Sequence, residues 1–228
     1  LSPQEALKRE AAEAAVERHV RSGMVVGLGT GSTARHMVAC IGRKLAAGAL
    51  RDVTGVPTSE STAAQARGLQ IPLASLATHA RLDVCIDGAD AVDARLNLVK
   101  GGGGALLREK MVARCAAKFV VITDDSKTCD ALGPSFALPV EVTPFCWEHT
   151  MRQIGQMDSL RGAEAAPRLR KKEAGGDDKY TTDNGNYIVD VACGAPLADV
   201  AHVSRELEAL VGVVEHGLFV GMAHEVIV

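Results

Sequence analysis

Four times in its first 127 residues this chain repeats one pattern, and that repetition restricts its fold more than any other feature. A short β-branched apolar run stops abruptly at Gly, Ser, Thr or Asp, and a helical stretch follows. The runs are Met24–Leu28, Val53–Val56, Asp83–Ile86 and Phe119–Ile122. The polar clusters after them are Gly29–Thr33, Pro57–Thr62, Asp87–Asp90 and Thr123–Lys127. Strands alternating with helices at this spacing predict an α/β fold, Rossmann-like, with a mostly parallel sheet and helices on both faces. Ligands of such sheets bind beyond the carboxyl ends of the strands. All four clusters fall at those ends, so they are expected to converge.

A helix over residues 5–21 precedes the first copy, with Ala6, Ala11, Ala14, Ala15, Val16 and Val20 as its apolar face. Beyond Gly133 the pattern changes. Leu138–Val142 reads as a strand and Trp147–Gln156 as a helix. Lys179–Asp183 and Asn186–Ala192 read as strands framing the turn Asp183-Asn184-Gly185, and Asp199–Leu210 as a helix. This β-α-β-β-α order predicts a smaller inserted α+β (ferredoxin-like) domain. The expected division is residues 1–133 and 211–228 for the α/β domain and 134–210 for the small one. Two strand-like runs after Val213 are expected to return to the main sheet. The basic run Arg168–Lys172 and the stretch Gly175–Asp178 read as a solvated loop.

Hydrophobic residues make up 47% of the chain and charged ones 23%, enough apolar material for a sizeable core. A net charge of −3 gives no reason to expect nucleic acid or an anionic membrane as partner. Apolar runs such as Phe119–Ile122 are far too short to span a bilayer. Cys40, Cys85, Cys115, Cys129, Cys146 and Cys193 form no C-x-x-C pair and read as buried reduced thiols. No histidine shows metal-ligand spacing, so no metal is expected. The chain opens on Leu1 and no targeting segment is visible in it.

Gly27-Leu28-Gly29-Thr30-Gly31-Ser32-Thr33 fits a dinucleotide fingerprint poorly, because its glycine spacing is one residue short. The lack of a Gly-Lys-Ser/Thr step excludes a P-loop. What remains is a strand-to-helix turn whose N–H groups and hydroxyls suit one phosphate, or a helix capped by Thr30 or Ser32. The second loop, Lys100-Gly101-Gly102-Gly103-Gly104, is either a flexible turn or a place where backbone approaches a ligand closely. Asp87 and Asp90 place two carboxylates in one turn, able to divide acid and base roles or simply to cap a helix. Glu109 by itself is an ordinary first-turn helix glutamate.

Together these segments resemble ribose-5-phosphate isomerase, type A. The resemblance rests on Gly27–Thr33, Asp87–Asp90, Lys100–Gly103 and Arg108-Glu109-Lys110. It continues in the family's order through Thr123–Lys127, Leu138–Val142, Thr182–Asn186 and Gly212–Phe219. Pro57-Thr58-Ser59 and the tail look most like plastid-type members. The resemblance implies interconversion of ribose 5-phosphate and ribulose 5-phosphate through an enediol, without cofactor, in the pentose phosphate pathway and, for plastid members, the Calvin cycle. It matches Glu109 to the proton-transferring base, and Asp87 and Asp90 to carboxylates that help ring opening and handle hydroxyl protons. Lys100 matches the cation near the developing oxyanion. Thr30, Gly31, Ser32, Thr33 and Lys127 match substrate-binding positions, as do the backbones of Gly88, Ala89, Gly101, Gly102 and Gly103. It implies a homodimer or homotetramer, and cytoplasm or plastid stroma as the compartment. The family usually reads Asp-Gly-Ala-Asp-Glu, where this chain has Ala91 in the last place.

Two rivals come from other classes. A non-catalytic sugar-phosphate sensor usually carries a DNA-binding helix-turn-helix, for which the chain offers no candidate segment. An NAD-dependent dehydrogenase is disfavoured by the glycine spacing.

Overall fold

The computed structural model describes residues 2–173 and 176–228. They form two compact units, each assembled from separate stretches. The first takes the chain through Ala89, then Arg108–Lys127 and Met222–Val228; the second takes Asp90–Leu107 and Thr128–Gly221.

The first unit holds a five-stranded, all-parallel sheet. Its strands are β1 (Val25–Leu28), β2 (Thr54–Pro57), β3 (Leu82–Gly88), β6 (Ala116–Ile122) and β12 (Glu225–Ile227), in the order β12-β6-β3-β1-β2. Side chains alternate across it. Val26, Leu28, Val84, Ile86, Val120 and Ile122 share one core with helices α1 (Pro3–His19) and α2 (Ser32–Ala46). On the opposite face α4 (Leu106–Cys115) comes so close that a Cβ at Gly27 would lie 2.7 Å from Val112 Cγ1. The sequence marks the start of α1 with Ser2, which accepts from Glu5 N at 3.2 Å, and with Pro3 in the first turn. In α3 (Glu60–Gly68), Ser59 does the same for Thr62 N. The buried residues of α1 are Ala11, Ala12, Ala15 and Val16, whereas Ala6 is exposed, so the apolar face sits further along the helix than expected.

The second unit carries a four-stranded antiparallel sheet built from β7 (Leu138–Val142), β8 (Ala165–Leu169), β9 (Tyr187–Cys193) and β10 (Val213–His216), ordered β10-β7-β9-β8. With α5 (Trp147–Gly155) and α6 (Val200–Ala209) it has the β-α-β-β-α-β order of a ferredoxin-like fold. A small sheet β11-β5-β4, from β4 (Ala91–Val92), β5 (Leu98–Val99) and β11 (Leu218–Phe219), completes the unit. In β7 the fully buried Glu141 accepts at Oε1 from Thr182 Oγ1 (2.9 Å), Asn184 Nδ2 (3.1 Å) and Asn186 Nδ2 (2.9 Å). That carboxylate ties the Asp183-Asn184-Gly185 turn to the sheet.

Several expectations are corrected. No helix follows the third run directly, because β4 and β5 intervene before α4, and only a 3-10 turn, Asp125–Lys127, follows the fourth. The strand beside β9 is Ala165–Leu169, not Lys179–Asp183, which among the described residues makes a single bridge, from Lys179 to Lys171. It includes Pro167, tolerated because β8 is the edge of its sheet. Of the two runs after Val213, the first joins β7, and only Glu225–Ile227 returns to the main sheet. Cys40, Cys85 and Cys193 are buried, but Cys146 is exposed. Of the segments read as a solvated loop, Gly175 lies outside the described residues, Arg168 belongs to β8, and Arg170 is largely buried rather than solvated. Among the described residues no helix is long and apolar enough to cross a membrane.

Candidate active site

In the first unit the carboxyl ends of β1, β2 and β3 do converge, and Thr30 is the tie. Its hydroxyl donates to Ser59 Oγ at 2.8 Å and lies 2.7 Å from Thr58 Oγ1. Ser59 donates onward to Thr62 Oγ1, and Thr62 to the Gly29 carbonyl, each at 3.0 Å. Thr30 N donates to Asp87 Oδ1 at 2.9 Å, and Gly88 N donates to the same oxygen at 2.7 Å. Asp87 is 1% exposed. Only glycine fits at position 29, where a Cβ would strike the Asp87 carboxylate and its Cα. Asp87 therefore braces loop amides at a strand end, and no helix follows it to be capped.

The same chain segment leaves α2 with an open start. Gly31 is its N-cap, at φ +112° and ψ 177°, and among the described residues no side chain caps the helix. Thr30, the expected capper, is spent on the hydroxyl network. The first amides of α2 lack intrahelical acceptors and carry the positive end of the helix dipole, which is a setting for an anion. Ser32 is exposed there and Thr33 half-buried.

Glu109 is 4% exposed, in the first turn of α4. Because α4 precedes β6, which runs parallel to β3, the helix must return from the carboxyl ends of the strands to the amino end of β6. Its first turn thus lies at the carboxyl ends. Arg108 of that turn pairs with Glu60, first residue of α3, at 2.8 Å. In the fourth cluster, burial opposes ionisation of Asp124, yet hydrogen bonds from Ser126 and Gln4 and the nearby Lys127 hold its carboxyl below the usual range. Lys127 closes that 3-10 turn, its N–H donating to Asp124 O at 3.1 Å.

In the second unit Asp90, Lys100 and the glycine loop form their own group. Asp90 N donates to Val99 O, and Asp90 Oδ2 accepts from Gly102 N at 2.7 Å. Lys100 is 2% exposed, its Nζ 5.5 Å from the Phe219 ring centre and its N–H on Gly217 O at 2.9 Å. Gly101 at φ +100° and Gly104 at φ +80° need glycine for their backbone. A Cβ at Gly102 would come within 2.7 Å of Asp90 Oδ1 and 2.9 Å of the Phe136 ring. Ala91 is 1% exposed within the apolar cluster of this unit. The chain passes from one unit to the other at Ala89–Asp90, Leu107–Arg108, Lys127–Thr128 and Gly221–Met222.

Sequence reasoning passed over Thr58, Ser59 and Thr62 as individual residues, although their cluster was in view. It also passed over Arg170 and Tyr180, which hold the glycine loop and whose local sequence gives no sign of it. Among the described residues no group of three or more His, Cys, Asp or Glu is placed to hold a metal ion.

A family model described as ribose 5-phosphate isomerase A (phosphoriboisomerase A) matches residues 54–228. The chain is 51% identical over 227 residues to a probable ribose-5-phosphate isomerase 3, chloroplastic, of Arabidopsis thaliana, covering 99% of this chain and 80% of the relative. A solved ribose 5-phosphate isomerase from Plasmodium falciparum superposes with a TM-score of 0.91 at 40% identity, covering 96% of this chain and 92% of that one. A solved D-ribose-5-phosphate isomerase in complex with phospho-erythronic acid gives a TM-score of 0.88 at 37% identity, with the same coverages of 96% and 92%.

Proposed function

The chain belongs to the ribose 5-phosphate isomerase A family, and on that premise we propose which of its residues carry the isomerisation. It is an isomerase of the pentose phosphate pathway, interconverting ribose 5-phosphate and ribulose 5-phosphate. An aldose becomes a ketose when a proton leaves C2 and returns at C1. One carboxylate on one face of the intermediate can perform both transfers, and Glu109 is that base. Asp87 and Asp90 assist ring opening and the hydroxyl protons. Lys100 and the loop amides of Gly101 and Gly103 stabilise the enediolate charge, while the backbone of Gly102 holds Asp90 toward the substrate. The phosphate is held at Thr30, Gly31, Ser32 and Thr33, with Lys127, Gly88 and Ala89 also contacting substrate.

The observation that carries this reading is the convergence of the β1, β2 and β3 ends on Thr30, beside a helix start left open for an anion. The test is ribose 5-phosphate incubated in D2O with a chelator and no nucleotide. Ketose should form, with deuterium at C1 to the extent that the protonated carboxylate exchanges with solvent before delivery; no ketose under these conditions would reject the cofactor-free isomerisation.

A homodimer or homotetramer follows from the family resemblance and is read by sedimentation of the native chain, where a monomer would reject it. Plastid stroma or cytoplasm is proposed as the compartment, supported by the chloroplastic name of the Arabidopsis relative.

A further inference from the structure

Three consecutive carbonyls of the glycine loop are gripped by two side chains of the second unit. Arg170 Nη1 donates to Gly101 O and to Gly102 O, each at 3.0 Å, and Tyr180 OH donates to Gly103 O at 3.1 Å. Arg170 is itself immobilised. Its Nε and Nη2 reach the two Asp190 oxygens at 2.8 and 2.5 Å, its guanidinium lies 5.6 Å from the Tyr180 ring centre, and its N–H donates to Ile188 O at 2.8 Å. Its side chain is 14% exposed. Burial pushes the Tyr180 phenol up, with Arg170 opposing, so the hydroxyl keeps the proton it donates.

A trans peptide points its N–H opposite to its C=O, and every described peptide bond is trans. Holding the Gly101 carbonyl therefore aims the Gly102 N–H, which donates to Asp90 Oδ2 at 2.7 Å. Holding the Gly102 carbonyl likewise turns the Gly103 N–H away from the guanidinium. A side chain at Gly102 would collide with Asp90, and one at Gly104 with the Tyr180 ring, so the grip tolerates glycine alone. The bidentate pairing with Asp190 balances the guanidinium's charge, which leaves geometry as its main contribution.

We propose that Arg170, locked by Asp190 and assisted by Tyr180, is a positioning residue that fixes the glycine loop so that its amides orient Asp90 and face the reacting carbons. This rests on the reading of Asp90 and the loop as machinery for the enediolate. A supporting contact of this kind is worth about 10- to 100-fold in activity.

The test compares two probes on the native chain. One is a phosphorylated four-carbon aldonate, whose planar carboxylate imitates the enediolate; the other is ribitol 5-phosphate, which has no planar centre. Arg170→Met should lower kcat and aldonate affinity together by about 10- to 100-fold, with KM and ribitol 5-phosphate affinity changed less than about threefold. Arg170→Lys, keeping one donor, should recover part of the loss. Equal loss for both probes, or no loss for either, would overturn the proposal. Should Arg170→Met fail to fold, Tyr180→Phe deletes a single donor and decides: an unchanged preference for the aldonate there rejects it. If the unaltered chain itself shows no preference for the aldonate, the enediolate reading of the loop falls instead.

Discussion

Glu109→Gln is expected to abolish most turnover, by at least about 10²-fold and up to several orders of magnitude, while sugar-phosphate binding stays measurable. Glutamine matches glutamate in shape, so the packing of a side chain only 4% exposed is kept and the proton acceptor alone is lost. On the proposed role, both half-steps, removal at C2 and delivery at C1, run through that carboxylate, and each would fail. Initial rates of ketose formation, with binding measured separately by calorimetry, decide the matter. Near-normal turnover in the variant would remove Glu109 from the role. A loss of binding equal to the loss of rate would point to a structural task instead.

Glu141→Met is expected to cost about 3 kcal/mol of stability, read as a lower urea midpoint. One oxygen of this fully buried carboxylate accepts from Thr182, Asn184 and Asn186. Methionine fills the space but strands three donors, each worth about 1 kcal/mol or more. Glu141→Gln keeps an acceptor oxygen and should lose less. A midpoint for Glu141→Met within experimental error of the parent would show that the turn Asp183–Gly185 is held by its own backbone. Thr182 N→Asn186 O and Gly185 N→Thr182 O, both 2.9 Å, are the bonds that would then suffice.

The main sheet was readable because its signal is local. Val25–Leu28, Thr54–Pro57 and Leu82–Gly88 are β-branched or apolar runs bounded by turn residues, and the expected strands differ from them by at most two residues at either end. The polar clusters were equally plain, since Gly, Ser, Thr and Asp punctuate a strand end wherever they occur. The strands β4 and β5 escaped notice because two residues apiece carry no period. Ala165–Leu169 hid for another reason: Ala-Ala-Pro-Arg-Leu has little β propensity, and its pairing is imposed by β9 next to it. Lys179–Asp183 has the better strand composition, yet Thr182 is spent on Glu141. The task of Arg170 depends on carbonyls 68 and 69 residues away in sequence, a relation no window can contain. Similarly, the hydroxyls of Thr30 and Ser59 could be placed at strand ends but not seen to touch until β1 and β2 were laid side by side.

The way the first unit is pieced together bears on how it folds. The strand β12 lies against β6, and Lys118 meets Glu225 at 2.7 Å across 107 residues of sequence. Between them the chain leaves to build most of the second unit before returning. Closing so long a loop is paid in entropy before the short three-residue strand rewards it. The edge pairing of β12 is therefore expected to form after the rate-limiting barrier, so that weakening it speeds unfolding and leaves the folding rate nearly untouched.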